Sequence, residues 1–269
     1  MRINNNLMAM NAHRQLGITN NSSSRSMEKL SSGYRINRAG DDAAGLSISE
    51  KMRAQVRGLN TASRNAQDAI SMIQTAEGAL NETHAILQRM RELTVQAAND
   101  TNVTLDRTAI SDELGTLVDE IDRISSSTTF NEKKLLDGTV AATFQIGADC
   151  GVSMGLSIAT MNSAALTVGG LNVSDHTNAT AAIGTVDAAI KRVSAERSKL
   201  GANQNRLEHT IKNLDNASEN IQASESRIRD VDIAKEMMEF TKNNILQQAA
   251  QAMLAQANQA PQGVLQLLR

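Results

Sequence analysis

The sequence predicts a mainly α-helical protein, an elongated antiparallel helical bundle or coiled coil of paired N- and C-terminal segments with a small β-hairpin region. Composition is the first reason. Three Phe, one Tyr and no Trp stand among 269 residues, with a single Pro. Large aromatics normally supply much of a globular core, and compact α/β or β-sandwich loops draw on several prolines. The second reason is periodicity. Val186, Val193, Leu200, Leu207, Leu214, Ile221 and Ile228 hold one heptad position seven times running. A helix spanning them is roughly 65 Å long, too long for a compact domain to cover. The third is a matching stripe near the N-terminus: Ala66, Ile73, Leu80 and Leu87, with Ala69, Ala76, Thr83 and Met90 three places on. Small residues at the second position suit close helix packing.

Taken in order, the chain opens with a stretch free of formal charge from Ile3 to Ala12, extending to His13, with Ile3, Leu7 and Met10 at helical spacing. A long helix is expected over about 41–100, interrupted by Gly58 and Gly78, each costing about 1 kcal/mol relative to Ala. A shorter helix over about 105–125 is marked by Ile110, Leu114, Leu117, Ile121 and Ile124, with Asp106 or Ser111 near its start. Over about 130–175 the period changes. Phe144 and Ile146, then Val152, Met154, Leu156 and Ile158, alternate with other residues, and Val168 and Val173 flank Gly169-Gly170. These read as short strands, with turns at Asp137-Gly138 and Gly169-Gly170. The last rod helix is expected over about 183–229. Its in-between positions are mixed (Ile190 and Ile211, but Arg197, Gln204 and Glu225), so its seam is narrow and needs the N-terminal heptads as partner. From Asn243 to Leu268 no charge occurs, yet seven Gln and three Asn accompany Ile245, Leu246, Met253 and Leu254. Uncharged, amide-rich amphipathic helices fold poorly alone but hydrogen-bond to one another when buried together, so both extremities are expected to order in an assembly.

Catalytic and metal chemistry find little support. Charges nearly cancel, 27 basic against 29 acidic residues, so no basic field points to nucleic acid. One cysteine, Cys150, excludes an internal disulfide and a cysteine-cluster metal site. His13, His84, His176 and His209 are scattered without metal-ligand spacing. Gly151-Val152-Ser153-Met154-Gly155 matches the serine-hydrolase elbow, but that motif needs a strand, a sharp turn and a helix, and here the strand pattern continues. No enzyme and no cofactor are expected. The N-terminus lacks a secretory apolar run and no stretch approaches a membrane span, so a cytosolic chain or one handled by a signal-independent exporter is expected, without membrane insertion.

Leu30-Ser31-Ser32-Gly33-Tyr34-Arg35-Ile36-Asn37-Arg38-Ala39-Gly40-Asp41-Asp42-Ala43-Ala44-Gly45-Leu46 resembles the N-terminal signature of bacterial flagellin, as does the opening Met1-Arg2-Ile3-Asn4. Ser226 to Asp232, Ile245 to Ala249, Met253 to Gln259 and the ending Pro261 to Arg269 resemble the family's other end, closest to flagellins of Gram-positive bacteria. The resemblance covers about 1–140 and 180–269, and the short middle implies a form lacking the variable outer domains. It implies a structural subunit of the flagellar filament. Residues 1–40 with 230–269 would form an inner, lumen-lining coiled coil, and 41–229 an outer rod domain. Ile3, Leu7, Met10, Ile245, Leu246, Met253, Leu254, Leu265, Leu267 and Leu268 would pack the inner domain. Ile73, Leu80, Leu87, Val193, Leu200, Leu207, Leu214 and Ile221 would form the rod seam. Implied partners are further copies of the chain, an export chaperone at the C-terminal segment, and the filament cap and hook-junction proteins. Export unfolded through the flagellar type III apparatus is also implied, as is host recognition by Toll-like receptor 5 through Arg89, Leu93 and, in support, Glu113. Cytosolic inflammasome receptors would read the terminal leucines. A hook–filament junction protein, whose ends resemble flagellin's, is the alternative.

Overall fold

The computed structural model describes residues 6–267. Four long helices account for most of them: α1 (Leu7–Ser32), α2 (Ala43–Ala97), α3 (Thr104–Ser127) and α5 (His176–Arg229), followed by a fifth, α6 (Ile233–Leu267), with a single turn α4 (Ser163–Leu166) between α3 and α5. Two antiparallel hairpins lie between α3 and α4. The first pairs β1 (Thr129–Phe130) with β2 (Lys133–Lys134), the second β3 (Ala141–Gln145) with β4 (Ser153–Ser157). The chain divides into two compact units: residues up to Ala54 with those from Asn220 on, and Gln55–Glu219.

In the Gln55–Glu219 unit α2 and α5 run antiparallel. Asn60 accepts from Ser218 Oγ at 2.8 Å, Ser63 donates to Asp215 at 3.1 Å, Arg197 approaches Glu77 at 3.7 Å and Arg91 donates to Asp187 at 2.6 Å. Numbering therefore climbs along α2 as it descends along α5. Ile73, Leu80, Leu87, Val193, Leu200, Leu207 and Leu214 are all buried here. Interleaved Ala66, Ala69, Ala76 and Ala189 are buried too. Ile110, Leu114 and Ile121 of α3 join the same core. Asp106 marks the start of α3, accepting the Val103 N–H at 3.1 Å.

The β3–β4 hairpin turns its apolar side to this core: Met154 and Leu156 are buried while Ser153, Gly155 and Ser157 face out. Glu196 of α5, itself buried, accepts the Ala159 N–H at 3.2 Å, and Lys199 donates to the Ser157 carbonyl at 3.0 Å, fixing the exit of β4. At the other end the Ala148 turn lies against Gly58, where an added Cβ would sit 2.9 Å from that of Ala148. In β1–β2 the turn residues Asn131 and Glu132 both have positive φ, the geometry that matches strand twist in a two-residue hairpin.

Val168 and Val173 are not in strands. Both are buried, but the segment is a helical turn capped by Asn162, which accepts from Ala165 N–H at 2.8 Å, followed by irregular chain. Its backbone is satisfied locally and by Arg192, which donates to the Ala165 carbonyl at 2.5 Å, instead of by a ladder.

The other unit centres on α1 packed against α6. Asn6 caps α1 by accepting from the Ala9 N–H at 3.1 Å, and Gly33, with φ 75°, closes it. Between Gly33 and α6 the two chain segments make a short antiparallel bridge. The Arg35 N–H donates to the Arg229 carbonyl at 2.7 Å and the Val231 N–H to the Gly33 carbonyl at 3.0 Å. The Tyr34 ring receives the Arg229 guanidinium at 4.7 Å and that of Arg53 at 5.9 Å. Those cations are also paired, Arg229 with Glu50 at 3.4 Å and Arg53 with Glu225 at 3.0 Å. Ile221, on the same α5 stripe as the buried valines and leucines, is half-buried in this unit.

Candidate functional site

The α1–α6 pair has an unusual distribution of side chains. Many positions of α1 that lose solvent exposure are small or polar: Thr19 and Ser26 are buried and Ala12, Ser22 and Ser23 half-buried, alongside the larger Leu16 and Leu30. On α6 they include Asn243, Asn244, Gln247, Ala250, Leu254 and Ala257. Asn6 donates to the Ala257 carbonyl at 2.6 Å and Ser23 to Asn244 at 3.5 Å. Leu16, Leu30, Phe240 and Leu254 excepted, the large apolar residues of the pair point the other way. Leu7, Met8, Met10, Ile18 and Met27 on α1, and Ile233, Met237, Met238, Ile245, Leu246 and Met253 on α6, are all exposed. A chain that placed its best hydrophobic side chains in water would gain little by folding alone, so these faces are suited to burial against another surface. Of the residues expected to pack an inner domain, Leu7, Met10, Ile245, Leu246 and Met253 lie on these exposed faces and Leu254 is half-buried. Ile3 and Leu268 lie outside the described residues, as do the side chains of Leu265 and Leu267.

A second surface lies where α2 faces α3. Arg89 is half-exposed and donates from Nε and Nη2 to Glu113 Oε1 at 3.0 and 2.8 Å, and from Nη1 to Glu92 at 3.3 Å. The Glu113 hydrogen bonds, then those of Glu92, hold the guanidinium's pKa above its ordinary value. Arg89 and Glu113 are thus brought together. Leu93 is not on that surface: it is 2% exposed and belongs to the core. Beside the pair, Gln88, Arg91, Glu92 and Val95 of α2 and Asp187 and Ile190 of α5 line an open groove of about 630 Å³. Asp187 drew no attention in the sequence, since a lone surface aspartate carries no periodic signal. Ile190 carried one, as an apolar residue between seam positions.

The hydrolase motif has no catalytic geometry. Gly151 to Gly155 leads into and along β4, and no hydrogen bond joins Ser153 to a histidine among the described residues. No helix among the described residues is long and apolar enough to cross a membrane.

The bacterial flagellin N-terminal helical region matches residues 3–141, and the flagellin C-terminal helical region matches 183–268. The chain belongs to the bacterial flagellin family. A flagellin of Halalkalibacterium halodurans is 64% identical over 272 residues and one of Bacillus subtilis 56% identical over 304, each covering 100% of both chains. The crystal structure of Bacillus cereus flagellin, 34% identical, covers 56% of this chain and 88% of its own, with a TM-score of 0.50. Flagellins are structural proteins, which accords with a surface built from packed side chains and helix faces without a catalytic constellation. The flagellins of Bacillus and Halalkalibacterium place the chain with Gram-positive members of the family, in a short form.

Proposed function

We propose that this chain is a structural subunit of the bacterial flagellar filament, polymerising with copies of itself to serve swimming motility. The observation that carries this reading is the pair α1–α6, where small and amide side chains, with Leu16, Phe240 and Leu254, lose exposure while most large apolar side chains stay outside. In the filament, residues 1–40 and 230–269 line the lumen, and Leu7, Met10, Ile245, Leu246, Met253 and Leu254 pack between subunits, with Ile3, Leu265, Leu267 and Leu268 in the same inner layer. Residues 41–229 form the outer rod. Burial of the apolar faces drives association, and the amides within the pair fix which helices meet.

The same reading assigns the remaining partners. The chain is exported unfolded through the flagellar type III apparatus after a transient cytoplasmic stage. An export chaperone covers the C-terminal segment there, and the cap and hook-junction proteins meet the subunit at the filament's ends. On the host side Arg89 and Glu113 are offered to Toll-like receptor 5, with Leu93 supporting the helix face from beneath.

Seeded polymerisation tests the subunit reading. Purified chain added to short filament fragments in precipitating salt is expected to extend them into long tubes in negative-stain micrographs. A chain lacking residues 230–269 is expected to stay soluble and to add nothing; normal growth of that truncation would overturn the role of α6.

A further inference from the structure

The described methionines of the two compact units differ in exposure, with Met52 of α2 half-buried between the extremes. Met72, Met90, Met154 and Met161 are buried in the Gln55–Glu219 unit. Met8, Met10, Met27, Met237, Met238 and Met253 are 46–74% exposed, and every one lies on α1 or α6. Four of them line grooves: Met8 and Met253 one of about 540 Å³ with Asn11, Ala12, Gln256 and Ala257, and Met237 and Met238 another of about 410 Å³ with Thr241, Lys242 and Ile245. Thioether sulfur is the chain's most readily oxidised group after the lone thiol, and its susceptibility follows exposure.

We propose that these six methionines are oxidation sites of the unassembled chain, and that their conversion to sulfoxides by a peroxide or hypohalous oxidant stops the chain from joining a filament. Peroxide serves as the two-electron oxidant. The sulfur lone pair attacks one peroxide oxygen, the O–O bond breaks, and an S=O bond forms. The departing hydroxide takes up the remaining peroxide proton as water; sulfur loses two electrons and peroxide gains them. The product is a polar, chiral side chain that needs a hydrogen-bond donor. In an apolar contact between copies it has none, so burying it is costly and Met-rich contacts fail. Once the faces are covered in a polymer, the sulfurs are shielded. The inference rests on the subunit reading, because only assembly turns these exposed residues into buried ones.

The test uses the full-length chain and hydrogen peroxide. Peptide mass spectrometry of treated monomer is expected to find one added oxygen on each of the six, with Met72, Met90, Met154 and Met161 reacting about tenfold more slowly. Seeded growth of the treated chain is expected to fall about tenfold and to return after incubation with methionine sulfoxide reductases A and B. Preformed filaments given the same peroxide dose are expected to stay long and to carry little sulfoxide on α1 and α6. A chain with all six changed to Leu, compared only with its own untreated sample, is expected to lose no growth to peroxide. Should that variant fail to grow untreated, the reductase reversal on the natural chain still decides. If treated chain carrying sulfoxides on the six grows as fast as untreated chain, the inference is overturned while the subunit reading stands. If untreated natural chain does not extend seeds at all, it is the subunit reading that falls.

Discussion

Two glycines in one helix should respond in opposite directions to the same substitution. Gly58 and Gly78 both sit within α2, and in an isolated helix replacing either by Ala gains about 0.8–1 kcal/mol. Around Gly78 nothing lies within 4 Å of an added Cβ, so Gly78→Ala is expected to keep that gain in full. At Gly58 the new Cβ meets the Cβ of Ala148 at 2.9 Å and its Cα at 3.3 Å, against an optimum of roughly 3.5–4.0 Å for carbon pairs. The hairpin tip has limited room to retreat. Asn65 donates to the Gln145 carbonyl at 3.1 Å, and the Gln145 amide itself spans the turn to the carbonyls of Gly147 and Asp149 at 3.0 and 2.7 Å. Overpacking of this kind costs about 1–3 kcal/mol, so Gly58→Ala is expected to be neutral to destabilising by about 2 kcal/mol after the helix gain is set against it. Urea unfolding of the monomer, followed by circular dichroism, reads both changes, and Gly78→Ala should raise the thermal midpoint by about 2–4 °C. Combining Gly58→Ala with Ala148→Gly should recover the helix gain. If Gly58→Ala alone stabilises as much as Gly78→Ala, the hairpin does not rest on α2 as described.

The link between α1 and α2 should be acid-sensitive. Asp41 accepts the N–H groups of Arg38 and Asn37 at 3.0 and 3.2 Å, and these two bonds, that of Arg38 first, hold its carboxyl below the ordinary value. A depressed folded-state pKa contributes stability that is present above the unfolded value and lost as pH falls through the folded one. Asp41→Ala should therefore be less stable than the natural chain at pH 6, with the difference closing below about pH 4; a gap that persists at low pH would refute the carboxylate's role. On the α2–α3 face, Arg89→Ala should leave the urea midpoint essentially unchanged, since the Arg89–Glu113 pair is solvated, while lowering activation of Toll-like receptor 5 in a reporter cell. A loss of fold alongside the loss of signal would mean that Arg89 serves structure instead.

The long helices were legible because their pattern repeats. Leu200 and Leu207, or Leu80 and Leu87, are each seven residues apart, and all four are buried. The polar interruptions were harder. Arg197 and Glu225 weaken the apolar seam of α5, yet they face Glu77 and Arg53 on α2, partners that a stripe of hydrophobic residues cannot reveal. Val168 and Val173 misled in the opposite sense: two buried β-branched residues beside glycines have the composition of a strand, but their burial comes from irregular chain around Asn162 and Arg192. The α2–α3 face was legible in part. Arg89 and Glu113 do meet, whereas the burial of Leu93 depends on tertiary packing that no local pattern displays. The facing of α1 and α6 was hidden for a related reason. Their apolar residues stand at helical spacing, which says that one side is greasy without saying whether that side turns to the partner helix or away from it.

The antiparallel meeting of α2 with α5 sets an order of events. Asn60 waits for Ser218, and Ser63 for Asp215, partners more than 150 residues downstream. A chain synthesised N-terminus first therefore offers the whole apolar stripe of α2 to its surroundings before the residues that cover it have been made. Loop closure over such separations is slow compared with forming a helix, and it cannot begin until the last third has arrived. The fold thus contains its own delay: the long helices can lock together only after most of the chain has been made.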